Sequence, residues 1–111
     1  MDPIIIPSEN GNWCVSPEKI IRVQSMDNYS KIIFKDAKPL VVSKVLLWFE
    51  IRLPHDMFTR VHRSHLVNKN YVAAINGSVF KYVQLMNGDI ISISRRKKHF
   101  AINNLGIVTN N

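Results

Sequence analysis

At 111 residues, with Lys+Arg 15 against Asp+Glu 8 for a net charge of +7 and 46% hydrophobic residues, the chain has material for one core and none for a second domain. The single Cys14 excludes an internal disulfide framework and a cysteine-rich zinc site, and no apolar run approaches the ~18 residues that a membrane helix requires. A soluble intracellular protein drawn to polyanions is the expectation, with no membrane, cofactor or small-molecule partner.

In chain order, Ile4-Ile5-Ile6 and Trp13-Cys14-Val15 flank Glu9-Asn10-Gly11-Asn12, where Asn-Gly accepts the positive φ of a tight turn. Ser16-Pro17-Glu18-Lys19 reads as a single helical turn with Pro at its first position. Residues 20–25 and 30–34 form a strand pair around Met26-Asp27-Asn28-Tyr29, and Asp36-Ala37-Lys38 turns the chain into another strand at 39–42. Residues 43–52 are the best helix: Ser43 as cap, Val45, Leu46, Trp48 and Phe49 as the apolar face, Pro54 to end it.

Residues 58–68, FTRVHRSHLVN, set two Arg, two His, a Ser and an Asn among Phe58, Val61, Leu66 and Val67. Apolar residues hold such a segment in the fold while its long donors stay free. Arg and Asn also carry the paired hydrogen-bonding groups that match guanine and adenine edges. Strands then follow at 71–75 and, after Asn76-Gly77-Ser78, at 79–85, with Asn87-Gly88-Asp89 turning into a last strand at 90–94. The second basic cluster, Ser94-Arg95-Arg96-Lys97-Lys98-His99, starts a C-terminal helix running toward Leu105, with Gly106 at its end. The sum is a mainly β fold, a small antiparallel scaffold with one or two short helices. Residues 1–19 are expected as a strand-and-turn extension, 20–105 as the domain proper and 106–111 as a tail.

Several motifs in order resemble those of the LytTR-type DNA-binding domain, the output domain of LytR/AgrA-like regulators. They are V-Q-S-M-D-N-Y, a capped helix ending in R-L-P, F-T-R-V-H-R-S-H-L-V-N, and Asn-Gly-Asp leading to I-S-R-R, together spanning about residues 20–102. The resemblance implies a reader of duplex DNA that sends loops into the major groove. It further implies bending of the duplex, binding at direct repeats upstream of promoters, pairing of two copies on tandem sites, and a place in the C-terminal half of bacterial two-component response regulators. About twenty residues precede the matching region, too few for a receiver domain, so the chain is expected either as a domain of a longer regulator or as a solitary one.

Carried onto this sequence, the base-contacting positions fall in three loops: residues 26–30, with Asn28 and Ser30 as candidates; Asn68; and Arg95. His62, Arg63, Ser64, Lys69, Arg96 and Lys97 are expected on phosphates or flanking groups. Each position has a plainer role beside the functional one. Asn68 can cap a turn with its side-chain oxygen, Ser64 can cap locally, and Arg95 can be a solvated helix-start residue. His62 and His65 sit three apart, a spacing metals use, yet Asp56 is the nearest acid and no metal is expected. Phe34, Trp48, Phe49 and Phe58 read as core and Cys14 as a small buried hydrophobe, while Tyr29 fits either packing or the DNA backbone. The competing class is a single-stranded nucleic acid or RNA-binding β module, for which Phe80 and Tyr82 would supply stacking. An enzyme would need a phosphate loop, a nucleophile elbow or paired carboxylates, and the sequence has none of these motifs.

Overall fold

The computed structural model describes residues 2–105, with only the backbone given at 98–100. In chain order the strands are β1 (Ile4–Ser8), β2 (Gly11–Val15), β3 (Ile20–Met26), β4 (Tyr29–Phe34) and β5 (Leu40–Val42). Helix α1 (Leu46–Arg52) follows, then β6 (Phe58–His62), β7 (His65–Asn68), β8 (Val72–Asn76), β9 (Tyr82–Leu85), β10 (Ile90–Ser92) and helix α2 (Lys98–Leu105). Short 3-10 turns at Pro17–Lys19, Lys69–Tyr71 and Arg95–Lys97 join them.

A five-stranded antiparallel sheet in the order β5-β4-β3-β7-β6 forms the middle layer. On one face lie α1 and the β1–β2 hairpin, enclosing Ile6, Ile20, Val23, Ile32, Phe49 and Leu66. On the other lie the three-stranded sheet β10-β9-β8 and α2, enclosing Ile21, Val61, Val67, Val83, Ala101 and Leu105. Strand side chains alternate between faces, so Leu66 and Val67 feed opposite cores. A bulge between Ile20 and Arg22 resets that alternation, putting Ile20 and Val23 on the α1 face although they are three residues apart.

Local chemistry accounts for most boundaries. Gly11 and Gly88 adopt φ of +118° and +94° at the tight turns, conformations costly for a residue with a Cβ. Helix α1 buries Leu46 and Phe49, with Leu53 just beyond it, at the i, i+3, i+7 spacing of one helical face. Its N-cap is Val45, which makes no side-chain cap bond, so the cap expected at Ser43 is displaced by two residues. Pro54, with no N–H to give and a ring that blocks the preceding turn, ends it. The strand expected at 79–85 starts only at Tyr82, because residues 77–81 loop away before pairing resumes at Asn76↔Tyr82.

The hairpin expected as an extension is packed into the first core, Ile6 being completely buried, though Cys14 is exposed and not a core residue as its apolar neighbours suggested. Phe49 and Phe58 are core, and Phe34 and Trp48 pack against it partly buried. The helix stop expected at Gly106 and the tail at 106–111 lie outside the described residues.

Candidate nucleic-acid interface

Three segments meet at one end of the central sheet. The β3–β4 turn carries Met26, Asp27, Asn28 and Tyr29, all exposed, with Asp27 at a φ of +56°. Asp tolerates this left-handed conformation better than most residues, which explains its place there. Next to it is the β6–β7 turn, Arg63-Ser64, joined by a hydrogen bond from the Ser25 amide to the Ser64 carbonyl at 2.9 Å. The third segment is the Arg95–Lys97 turn, held by the Ser94 amide donating to the Val61 carbonyl at 2.8 Å.

His62, Arg63, Ser94, Arg95, Arg96 and Lys97 line one shallow depression, whose lining contains no acidic residue. Arg63, Arg95 and Arg96 are exposed there, while His62, Ser64 and Lys97 are half-buried. The β6–β7 turn is held from inside by Arg60, whose Nε donates to the His62 carbonyl at 3.0 Å and whose Nη2 donates to the Arg63 carbonyl. Glu50 on α1 accepts from Arg60 Nη1 at 2.7 Å and fixes it in place. Within the turn the Ser64 amide donates to His62 Nδ1 at 3.1 Å, which leaves Nε2 as the protonated, donating nitrogen of that ring.

His65 stands opposite His62 across the hairpin, their ring centroids 5.4 Å apart. Burial, reinforced by the charges of Arg22 and His62, holds the His65 imidazole down at about 4, so it is neutral near pH 7. Its Nδ1 is buried without a partner among the described residues. Arg22 on β3 reaches Asp89 Oδ2 through Nε at 2.8 Å and Gln24 Oε1 through Nη1 at 2.8 Å, tying the β9–β10 turn to the central sheet. Burial alone would raise the Asp89 carboxyl, but hydrogen bonds from Arg22 and Asn87, with the charges of Arg22 and Lys31, outweigh it and hold the group below its ordinary range.

Two of the expected base-reading residues point into the fold. Asn68 is completely buried: its Nδ2 donates to the Ile20 carbonyl at 2.9 Å and its Oδ1 accepts from the Asn70 amide at 2.9 Å, capping the 3-10 turn that follows. Each half of its amide holds a backbone partner, and with no surface exposed the group does not reach an adenine edge. Lys69 follows Asn68, just past the end of β7 and roughly 16 Å from Ser64 at the usual rise per strand residue. Ser30 is also completely buried, its Oγ donating to the Lys44 carbonyl at 2.6 Å.

The signal for both was strand parity. Ser30 shares a face with Ile32, and Asn68 with Leu66, which are core residues of the α1 face. His62, Arg63, Arg95, Arg96 and Lys97 are brought together in that shallow depression, with Ser64 and Asn28 in the two turns joined beside it, whereas Tyr29, exposed at 52%, lines a different depression with Trp13, Leu40 and Val41. Among the described residues no group of three His, Cys, Asp or Glu converges, and no helix is long and apolar enough to cross a membrane.

Comparison with known proteins gives one family and one fold. The family model described as "LytTr DNA-binding domain" matches residues 10–103. A solved LytTr DNA-binding domain from a Bacillus cereus protein titled as a DNA response regulator superposes with a TM-score of 0.79 at 23% identity, covering 96% of this chain and 99% of that one. No curated protein sequence matches the chain.

Proposed function

Because this chain belongs to the LytTr DNA-binding domain family, a family of DNA binders acting in transcription regulation, we propose that the three clustered segments are its reading surface for the major groove of duplex DNA. Arg63 and Arg95 read guanine O6 and N7, each such forked pair being worth ~1–3 kcal/mol of discrimination. Asn28, at the exposed β3–β4 turn, takes the adenine-reading role that its carboxamide suits. His62 through Nε2, Ser64, Arg96 and Lys97 contact phosphates and set the register. The observation that carries this is the side-by-side exposure of Arg63 and Arg95 over an acid-free depression, main-chain-bonded to the neighbouring turn.

A groove about 12 Å wide admits turns of this size without a recognition helix. The surroundings of the site follow the family resemblance: direct repeats near promoters, two copies side by side, and a cytoplasmic regulator of transcription.

The test is duplex selection followed by substitution. Arg63→Ala and Arg95→Ala should each flatten base preference at one position by ~10–100-fold, while Lys97→Ala weakens all duplexes alike and lowers the salt slope by about one. Binding should survive an excess of single-stranded competitor. If the two kinds of substitution weaken every sequence equally, the division between reading and anchoring residues is wrong.

A further inference from the structure

Phe80 has no role in the site so far, yet it is the most exposed large apolar residue described, at 72%. Its loop is not loosely hung. Gly77 adopts a φ of +96°, and a Cβ there would sit 2.1 Å from the Phe80 carbonyl oxygen, so only glycine permits the loop to fold back this closely. The other side is fastened by the Ile93 amide donating to the Lys81 carbonyl at 3.0 Å. An aromatic ring held in water by two such backbone fixings is not explained by packing, since it contributes almost nothing to either core. Its neighbour supplies the reason: the Arg95 guanidinium lies over the ring, 5.6 Å from its centroid.

Resting on the reading of Arg95 given above, we propose that Phe80 is a positioning residue for base recognition, a platform that holds the Arg95 guanidinium in its reading orientation. An Arg side chain free in water loses rotamer freedom when it engages a base edge. A guanidinium already stacked on an aromatic face has lost part of that freedom beforehand, and its planar fork stays open for O6 and N7. Loop 77–81, on a different sheet from the β6–β7 turn, thereby becomes a fourth contributor to specificity. A phenylalanine that contacts no base can set how well a neighbouring arginine discriminates.

The experiment measures affinities of the purified protein for the selected duplex and for the same duplex with the Arg95-dependent guanine replaced, across Phe80→Ala, Phe80→Leu, Phe80→Tyr and Arg95→Ala. Phe80→Ala and Phe80→Leu should each lower discrimination at that base roughly two- to fivefold, the scale of an exposed cation–π contact, with the unfolding midpoint unchanged. Phe80→Tyr, which keeps the ring face, should restore it, and Phe80→Ala should have no further effect when Arg95 is already Ala. If Phe80→Leu discriminates like wild type, or if Phe80→Ala acts equally with and without Arg95, the platform is refuted. If Arg95→Ala itself leaves discrimination unchanged, the base-reading assignment of Arg95 is what fails.

Discussion

β7 is four residues long, and the chain does opposite things at its two ends. At the His65 end it makes a two-residue turn whose Arg63 projects into solvent beside Arg95, braced from beneath by Arg60 and Glu50. At the Asn68 end it closes the fold, spending a carboxamide on the Ile20 carbonyl and the Asn70 amide. Both residues have side chains suited to base edges. Residue type therefore says what a position could recognise, while strand parity and the location of the turn decide whether it is presented at all. The resemblance to the family placed the second reading position at Asn68; the sheet buries that residue and leaves Arg63 exposed, which is why the proposal gives the role to Arg63.

The strongest way to break this comparison is to truncate both residues. Arg63→Ala should cut affinity for the selected duplex ~10–100-fold and leave urea unfolding within about 0.5 kcal/mol of wild type, as for an exposed residue outside a core. Asn68→Ala should reverse the pattern. It orphans a buried carbonyl and an amide, costing about 1–3 kcal/mol of unfolding free energy, while the fraction that remains folded keeps its sequence preference. A normally stable Asn68→Ala protein with altered base preference would restore Asn68 to the reading surface.

Acidification gives a second and smaller contrast, at the base of the same turn. In the folded chain the His65 imidazole is depressed to about 4, against about 6.5 when unfolded, so the unfolded state binds more protons between those values. Stability is then full above pH 6.5 and falls as pH drops toward 4, by on the order of 1–2 kcal/mol once the partial exposure of the ring is discounted. Asp89, whose folded value is lowered, acts in a separate window: its contribution is present above its unfolded value near 4 and is lost below it. Urea midpoints of wild type and His65→Phe at pH 7.5 and pH 5 check this. The slope should disappear in the variant, and an equal slope in both proteins would assign it elsewhere.

The smallest effect concerns Asp27, the acid within the exposed β3–β4 turn. Asp27→Asn keeps a residue that tolerates positive φ and removes a negative charge beside the proposed DNA-binding surface. Affinity for all duplexes should rise about two- to threefold at low salt and converge with wild type at high salt, where exposed charges are screened. A change in base preference would mean that Asp27 itself reads a base.

Much of the scaffold was legible because turn chemistry and periodicity are local. Asn-Gly at residues 10–11 and Asn-Gly-Asp at 87–89 marked real turns, and Leu46, Trp48 and Phe49 marked the apolar face of α1, although Val45, counted with them, is its exposed N-cap. The basic residues at 62–63 and 95–97 were legible as parts of two clusters, and the fold brings them to one depression. What the sequence left open depends on contacts between distant segments. Ser30 and Asn68 looked available because their partners, the Lys44 and Ile20 carbonyls, lie 14 and 48 residues away along the chain. Phe80 read as one more alternating strand residue until the loop at 77–81 lifted it out of the ladder. Cys14 shows the same limit from the other side, an apolar-looking residue that the hairpin leaves outside.

The bond between the Ser25 amide and the Ser64 carbonyl has a consequence for how such a domain diversifies. It ties the first two turns through backbone atoms that every amino acid but proline can supply at these positions, so their spacing does not depend on which side chains they carry. Residues 28 and 63 can be exchanged for others without loosening the frame that aims them. On the proposed reading, a lineage built on this arrangement acquires new operator sequences by single substitutions, each tried against an unchanged geometry.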